Sequence, residues 1–137
     1  MINHIAIVGL GSIGRRQLRL VREFRPGIKI TVVRSGEGKT VSEEKFANEI
    51  VYTLEDAIKS GIQAAVIATP VVFHLGPVTE LIRAGVHFLV EKPLSDSMEG
   101  VNKLVENWKK SRVVVLLGYC MRHNPAAKQF KKMIIIL

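Results

Sequence analysis

An α/β fold built on a doubly wound parallel sheet is predicted for this chain by two observations. Short apolar runs rich in β-branched residues alternate with segments of helical periodicity, and glycine or proline stands at the junctions between them. The runs lack the apolar and polar alternation of a half-solvated strand, so they read as strands buried on both faces, as in a parallel sheet with helices on either side. The length, 137 residues, fits a single domain. An apolar share of 47% against 23% charged residues supplies a core and excludes a disordered majority.

Taken in order, Ile5–Val8 is the first strand, and Gly14–Phe24 follows as a helix that turns Leu18 and Val21 inward and closes at Pro26-Gly27. Ile28–Val33 is the second strand. Residues 34–48, opening with Arg34-Ser35-Gly36-Glu37-Gly38-Lys39, read as a polar loop with a single helical turn, and Glu49–Tyr52 is a weaker strand. Leu54–Lys59 is a helix closed by Gly61, Ala64–Ala68 a strand, Leu75–Ala84 a helix closed by Gly85, and His87–Val90 a strand. Met98–Lys110 places Val101, Leu104, Val105 and Trp108 at helical spacing, with Ser95 or Ser97 as its N-cap, and Val113–Leu117 is the last strand. Alternation of this kind implies right-handed crossovers and a ligand crevice at the carboxyl ends of the strands.

The net charge of +8, from 20 Lys and Arg against 12 Asp and Glu, raises phosphate-bearing ligands, nucleic acid and anionic membranes as partners. The cations are dispersed, as Arg15-Arg16, Arg19, Arg22 and Arg25 on one segment and as Lys109-Lys110, Arg112, Lys128 and Lys131-Lys132 near the end. Aromatic residues make up only 6% of the chain, too few for a base-stacking platform, so no nucleic-acid partner is expected. Cys120 is alone and forms no internal disulfide, no secretory leader opens the chain, and no apolar stretch has the length of a membrane span. The expectation is a cytoplasmic protein without a membrane partner.

Gly9-Leu10-Gly11-Ser12-Ile13-Gly14 directly follows the first strand and opens the first helix, the context in which G-x-G-x-x-G signifies dinucleotide binding. Gly9 permits the tight turn, Gly11 admits a pyrophosphate to the backbone, Gly14 lets helix and strand approach, and the amides from Ser12 onward face the anion. Some twenty residues on, where an acid would hold the ribose 2′-hydroxyl of NAD, the second strand ends in Arg34-Ser35. A guanidinium and a hydroxyl suit a 2′-phosphate, so NADP is expected ahead of NAD. Ala68-Thr69-Pro70 with His74, and Glu91-Lys92-Pro93, close two further strands and place polar groups at the same sheet edge. On the residues alone, a lone His74 is more often a helix-capping or structural residue, and Glu91-Lys92 more often a surface pair. No metal-ligand cluster is expected.

These motifs together resemble the N-terminal part of the glucose-fructose oxidoreductase and inositol dehydrogenase family, Gfo/Idh/MocA. The resemblance runs from Ile5 to about Lys132. It rests on Gly9 to Gly14 with Arg15-Arg16, on Ala68-Thr69-Pro70 with His74, on Ala84-Gly85-Val86-His87 leading to Glu91-Lys92-Pro93-Leu94, and on Gly118-Tyr119-Cys120-Met121-Arg122-His123-Asn124-Pro125. It implies a Rossmann-type domain and oxidation or reduction of a sugar, cyclitol or similar polyol with hydride passing to or from a nicotinamide. It implies also that Lys92 is the proton-relay residue, that Pro93 fixes its loop, that Thr69, Pro70 and His74 line the ribose and nicotinamide side, and that Arg122 and Asn124 close the pocket floor. Gln17 stands where many members carry histidine.

Family members run to roughly twice this length, into an α/β domain that supplies further catalytic residues. Residues 1–125 are therefore expected to form the NAD(P)-binding domain, and residues 126–137, ending in the apolar run Ile134–Leu137, the start of a truncated linker helix or tail. Apolar surface left where a second domain would dock favours self-association. A non-catalytic dinucleotide-binding or interaction module is the alternative to an oxidoreductase.

Overall fold

The computed structural model describes residues 1–134, so Ile135 to Leu137 of the apolar run lie outside the described residues. Strands β1 (His4–Val8), β2 (Lys29–Val33), β3 (Glu49–Val51), β4 (Ala64–Ile67), β5 (His87–Val90) and β6 (Val115–Leu117) form one sheet in the order β3-β2-β1-β4-β5-β6. Every pairing is parallel. The chain winds outward from β1 to β3 and then returns to place β4 on the other side of β1, with Val8 opposite both Val33 and Ile67. That reversal puts the switch point of a doubly wound sheet between β1 and β4.

Among the described residues, helices α1 (Ser12–Phe24), α2 (Leu54–Lys59), α3 (Leu75–Ala84) and α4 (Val101–Lys109) cover the sheet, and α5 (Pro125–Ile134) packs on the turn Cys120–His123 with no buried residue. Successive strand residues point to opposite faces, and the core divides accordingly. Ala6, Val8, Ala65, Ile67, Phe88 and Val90 pack with Leu54 of α2, Val78 and Leu81 of α3 and Leu104 of α4. Ile7, Ile30, Val32 and Val66 pack on the other face with Leu18 of α1. Burial of a side chain such as Leu18 stabilises by roughly 1.5–3 kcal/mol, which fixes α1 against β1 and so sets the place of the turn between them.

Several boundaries differ from the sequence expectation. Helix α1 starts at Ser12, two residues earlier, so Gly14 lies within its first turn. Helix α4 starts at Val101, not Met98, because Gly100 adopts a left-handed conformation at its N-cap. Neither Ser95 nor Ser97 caps it; the Ser95 hydroxyl instead accepts the Ser97 amide at 3.3 Å in the preceding turn. Strand β6 starts at Val115 and β4 ends at Ile67. A cap not foreseen is Thr53, whose Oγ1 accepts the Asp56 amide at 3.1 Å ahead of α2.

Two of the arginines on α1 belong to the framework. Arg22 donates to the carbonyl oxygens of Phe46, Pro26 and Ile28 and to Asn48 Oδ1, stitching α1 to the turn that leads into β2 and to the segment before β3. Arg19 pairs with Glu43. At the amino ends of the strands His4 is buried with its Nε2 2.8 Å from Thr31 Oγ1, and that hydroxyl donates to Glu49 Oε2 at 3.2 Å. Since the threonine proton goes to the carboxylate, His4 is the donor in the first contact.

Candidate functional site

At the carboxyl ends of β1, β2 and β4 a cleft of about 740 Å³ opens over the switch point. Its floor is the turn Gly9-Leu10-Gly11, one wall is Arg34, Ser35 and the loop on to Val41, and the other is Ala68, Thr69, Pro70 and Phe73. Tyr52, 65% exposed, stands at the mouth.

The glycines divide the work of the turn. Gly9 has φ of 88°, open to glycine at no steric cost, and a Cβ there would lie 3.0 Å from Thr69 Cγ2 and 3.1 Å from the Ala68 carbonyl. A Cβ on Gly14 would lie 2.0 Å from the Gly9 oxygen. Gly11 meets nothing within 4 Å on its Cβ side, so this face of the turn is open to the cleft. Gly11 is also the N-cap of α1, with no side-chain cap and no acid in the first turn, so the first-turn amides keep their capacity to bind an anion. Ser12 and Ile13 are exposed at that helix end.

Thr69 Oγ1 is buried without a hydrogen-bond partner beside this turn. A buried hydroxyl left unpaired costs about 1–3 kcal/mol, a cost that a polar partner reaching it would recover. The open face of Gly11, the uncapped amides and this hydroxyl together fit the diphosphate and ribose of a dinucleotide.

The other expected residues lie behind or beside the cleft. His74 is 1% exposed, with Nδ1 2.9 Å from the Pro93 carbonyl oxygen and Nε2 2.8 Å from that of Thr69. It therefore tethers the Glu91-Lys92-Pro93 loop to the end of β4 and does not line the cleft. The Lys92–Pro93 peptide is cis, and both side chains are exposed. Glu91 Oε1 accepts from Gln17 Nε2 at 3.1 Å, which ties the same loop to α1. Gly118 packs so closely on Glu91 that a Cβ there would come within 2.9 Å of Oε2. Arg122 is exposed in the turn Cys120–His123 and is not brought to the cleft. Arg34 lines the cleft, yet its guanidinium is paired with Glu44 and also donates to the carbonyl oxygens of Glu37 at 3.2 Å and Lys39 at 3.0 Å. The sequence reading missed Leu10, Lys39, Tyr52, Phe73 and Pro77 as lining residues, and only the exposed aromatics among them carried a signal. Among the described residues no group of three or more His, Cys, Asp or Glu is placed to hold a metal. Among them too, no helix is long and apolar enough to cross a membrane.

Comparison with known proteins agrees with this fold. The chain is 29% identical over 136 residues to the scyllo-inositol 2-dehydrogenase (NAD(+)) of Bacillus subtilis, covering 94% of this chain and 39% of that protein. It is 29% identical over 134 residues to the 2,7-anhydro-N-acetylneuraminate hydratase of Mediterraneibacter gnavus, covering 94% of this chain and 34% of that one. The scyllo-inositol dehydrogenase from Lactobacillus casei, solved with bound NAD(H) and scyllo-inositol, superposes with a TM-score of 0.84 at 20% identity over 98% of this chain and 41% of that one. The chain thus spans between a third and a half of the length of these relatives. The profile of the Gfo/Idh/MocA oxidoreductases, described as an NAD-binding Rossmann fold, matches residues 3–119, and the chain belongs to that family.

Proposed function

We propose that this chain is the NAD(P)-binding domain of an oxidoreductase acting on a sugar, cyclitol or related polyol, with NADP favoured over NAD. The observation that carries the reading is the glycine turn: an uncapped helix end and an open Gly11 face beside the unpartnered Thr69 hydroxyl. Gly9, Gly11, Ser12, Ile13 and Gly14 hold the diphosphate, with Thr69 and Pro70 against the ribose. The bound nicotinamide supplies hydride transfer. Lys92, on the loop steadied by His74 and Gln17, holds and moves the proton at its Nζ. The preference for NADP draws on the lack of an acid at the end of β2, where Arg34 and Ser35 stand instead. Residues 1–125 make up the cofactor domain, and α5 begins the passage out of it.

Calorimetric titration of the purified chain with NADPH and with NADH at moderate salt tests this. Tight NADPH binding with weaker NADH binding is expected, and binding of neither overturns it. The second reading, left open by the residues, is a dinucleotide-binding or interaction module without turnover of its own. Turnover of any polyol by the chain rejects that second reading.

A further inference from the structure

We infer that Lys39, and not Arg34, is the cation that reads the 2′-position of the adenosine ribose, and that Arg34 is the post on which the reading loop is wound; this rests on the dinucleotide reading above. Arg34 has a side chain only 15% exposed, paired with a Glu44 carboxylate that is 13% exposed. Its Nη2 donates to the carbonyl oxygens of Glu37 and Lys39, and Glu44 Oε1 also accepts the Val41 amide at 3.2 Å. One guanidinium thus fastens the loop at both its middle and its far end. Three of its five N–H donors are engaged and its charge is neutralised in contact, so presenting it to a phosphate means dismantling the loop.

What remains at the cleft wall is a different set of groups. Gly36 and Gly38, with φ of 83° and 84°, turn the loop twice in four residues. Lys39 follows, exposed, lining the cleft, and in no ion pair among the described residues. Glu37 is the one carboxylate among the residues lining the same cleft. Ser35 accepts the Glu37 amide at 3.3 Å through Oγ and keeps its hydroxyl proton for a ligand. With Arg34 cancelled by Glu44, the discrimination between a 2′-phosphate and a 2′-hydroxyl falls to Lys39, which attracts the dianion, and to Glu37, which repels it.

The two charges give a test of opposite sign. NADPH and NADH are titrated calorimetrically into the full chain and its variants, with melting temperatures as a control for folding. Lys39→Gln is expected to weaken NADPH by about tenfold and to leave NADH within about twofold, the scale of one lost charge-assisted contact at a solvated rim. Glu37→Gln is expected to tighten NADPH by about threefold with NADH little changed. Arg34→Gln, which frees the loop, is expected to weaken both dinucleotides together. A Lys39→Gln chain with an unchanged NADPH to NADH ratio, or an Arg34→Gln chain of unchanged melting temperature that loses NADPH alone, overturns the inference while leaving the dinucleotide reading standing. Failure of the unmodified chain to bind either dinucleotide overturns both.

Discussion

Gly14→Ala and Gly11→Ala are expected to separate folding from binding within a single turn. The added carbon at position 14 would lie 2.0 Å from the Gly9 oxygen, where real contacts stay beyond 3.0 Å, so α1 must retreat from β1 by about 1 Å. Retreat loosens the packing of Leu18, which is 0% exposed between α1 and the sheet. Overpacking of this kind costs about 3 kcal/mol, the upper part of its usual range, because the obstacle is backbone and not a flexible side-chain end. For a chain of 137 residues each kcal/mol lowers Tm by roughly 3–4 °C, so a drop of about 10 °C is expected. Position 11 behaves otherwise. Its backbone, φ −68° and ψ −170°, suits any residue, and its Cβ meets nothing within 4 Å. The weaker N-cap and the reduced freedom of the unfolded chain oppose each other at a few tenths of a kcal/mol, leaving Tm within about 2 °C. The methyl group then occupies the face offered to the diphosphate, and NAD(P) affinity falls by more than about tenfold. Scanning calorimetry and titration of both variants read the two effects. A Gly11→Ala chain that melts as low as Gly14→Ala, or that binds dinucleotide like the unmodified chain, refutes the reasoning.

Replacing Thr69 by Val removes the unpartnered hydroxyl at almost constant shape. Tm is expected to hold or rise by a few degrees while dinucleotide affinity drops, and a drop in Tm instead means that the hydroxyl has a partner in the free chain. Lys92→Ala is expected to abolish any polyol turnover with cofactor affinity kept within a few-fold, as coupled spectrophotometry and titration will show; a large affinity loss makes Lys92 a binding residue. Burial, with the Lys29 ammonium behind it and Glu49 only partly opposing, holds the His4 imidazole below its ordinary value of 6.5. The unfolded chain therefore takes up this proton first as the pH falls. Stability that His4 contributes above pH 6.5 is lost on acidification, and Tm measured from pH 7.5 down to 5.5 should show a slope that His4→Gln flattens.

Much of this architecture is legible in the residues because the strands are buried on both faces and bounded by turn-formers. The runs at Ile5, Ile28, Ala64 and His87 need no tertiary information to stand out, and Gly9 to Gly14 is meaningful through its place between one of them and a helix. What escaped the reading is set by contacts distant in the chain. Arg34 reads as a free cation until Glu44 is folded against it, and His74 reads as a ligand-lining residue until the Thr69 and Pro93 carbonyls close on its ring. The Gln17 to Glu91 bond joins positions 74 residues apart, with no local pattern to announce it. The start of α4 was misplaced for a local reason: Gly100 takes a left-handed conformation within a segment whose periodicity runs on through it.

The position of β1 at the centre of an all-parallel sheet also bears on how the protein assembles. Ile5 finds Ala64 only after 59 residues of chain have been gathered in, and every other strand pairing likewise spans a helix or long loop. Such non-local topologies fold more slowly than helical bundles of equal size. The glycine turn is pressed against Ala68 and Thr69 just past β4, so its geometry does not exist until that long closure has happened. Dinucleotide binding and global folding are therefore a single linked equilibrium. A saturating dinucleotide will slow amide hydrogen exchange in β1, β2 and β4 together, not in the turn alone, by a factor that grows with its concentration relative to Kd.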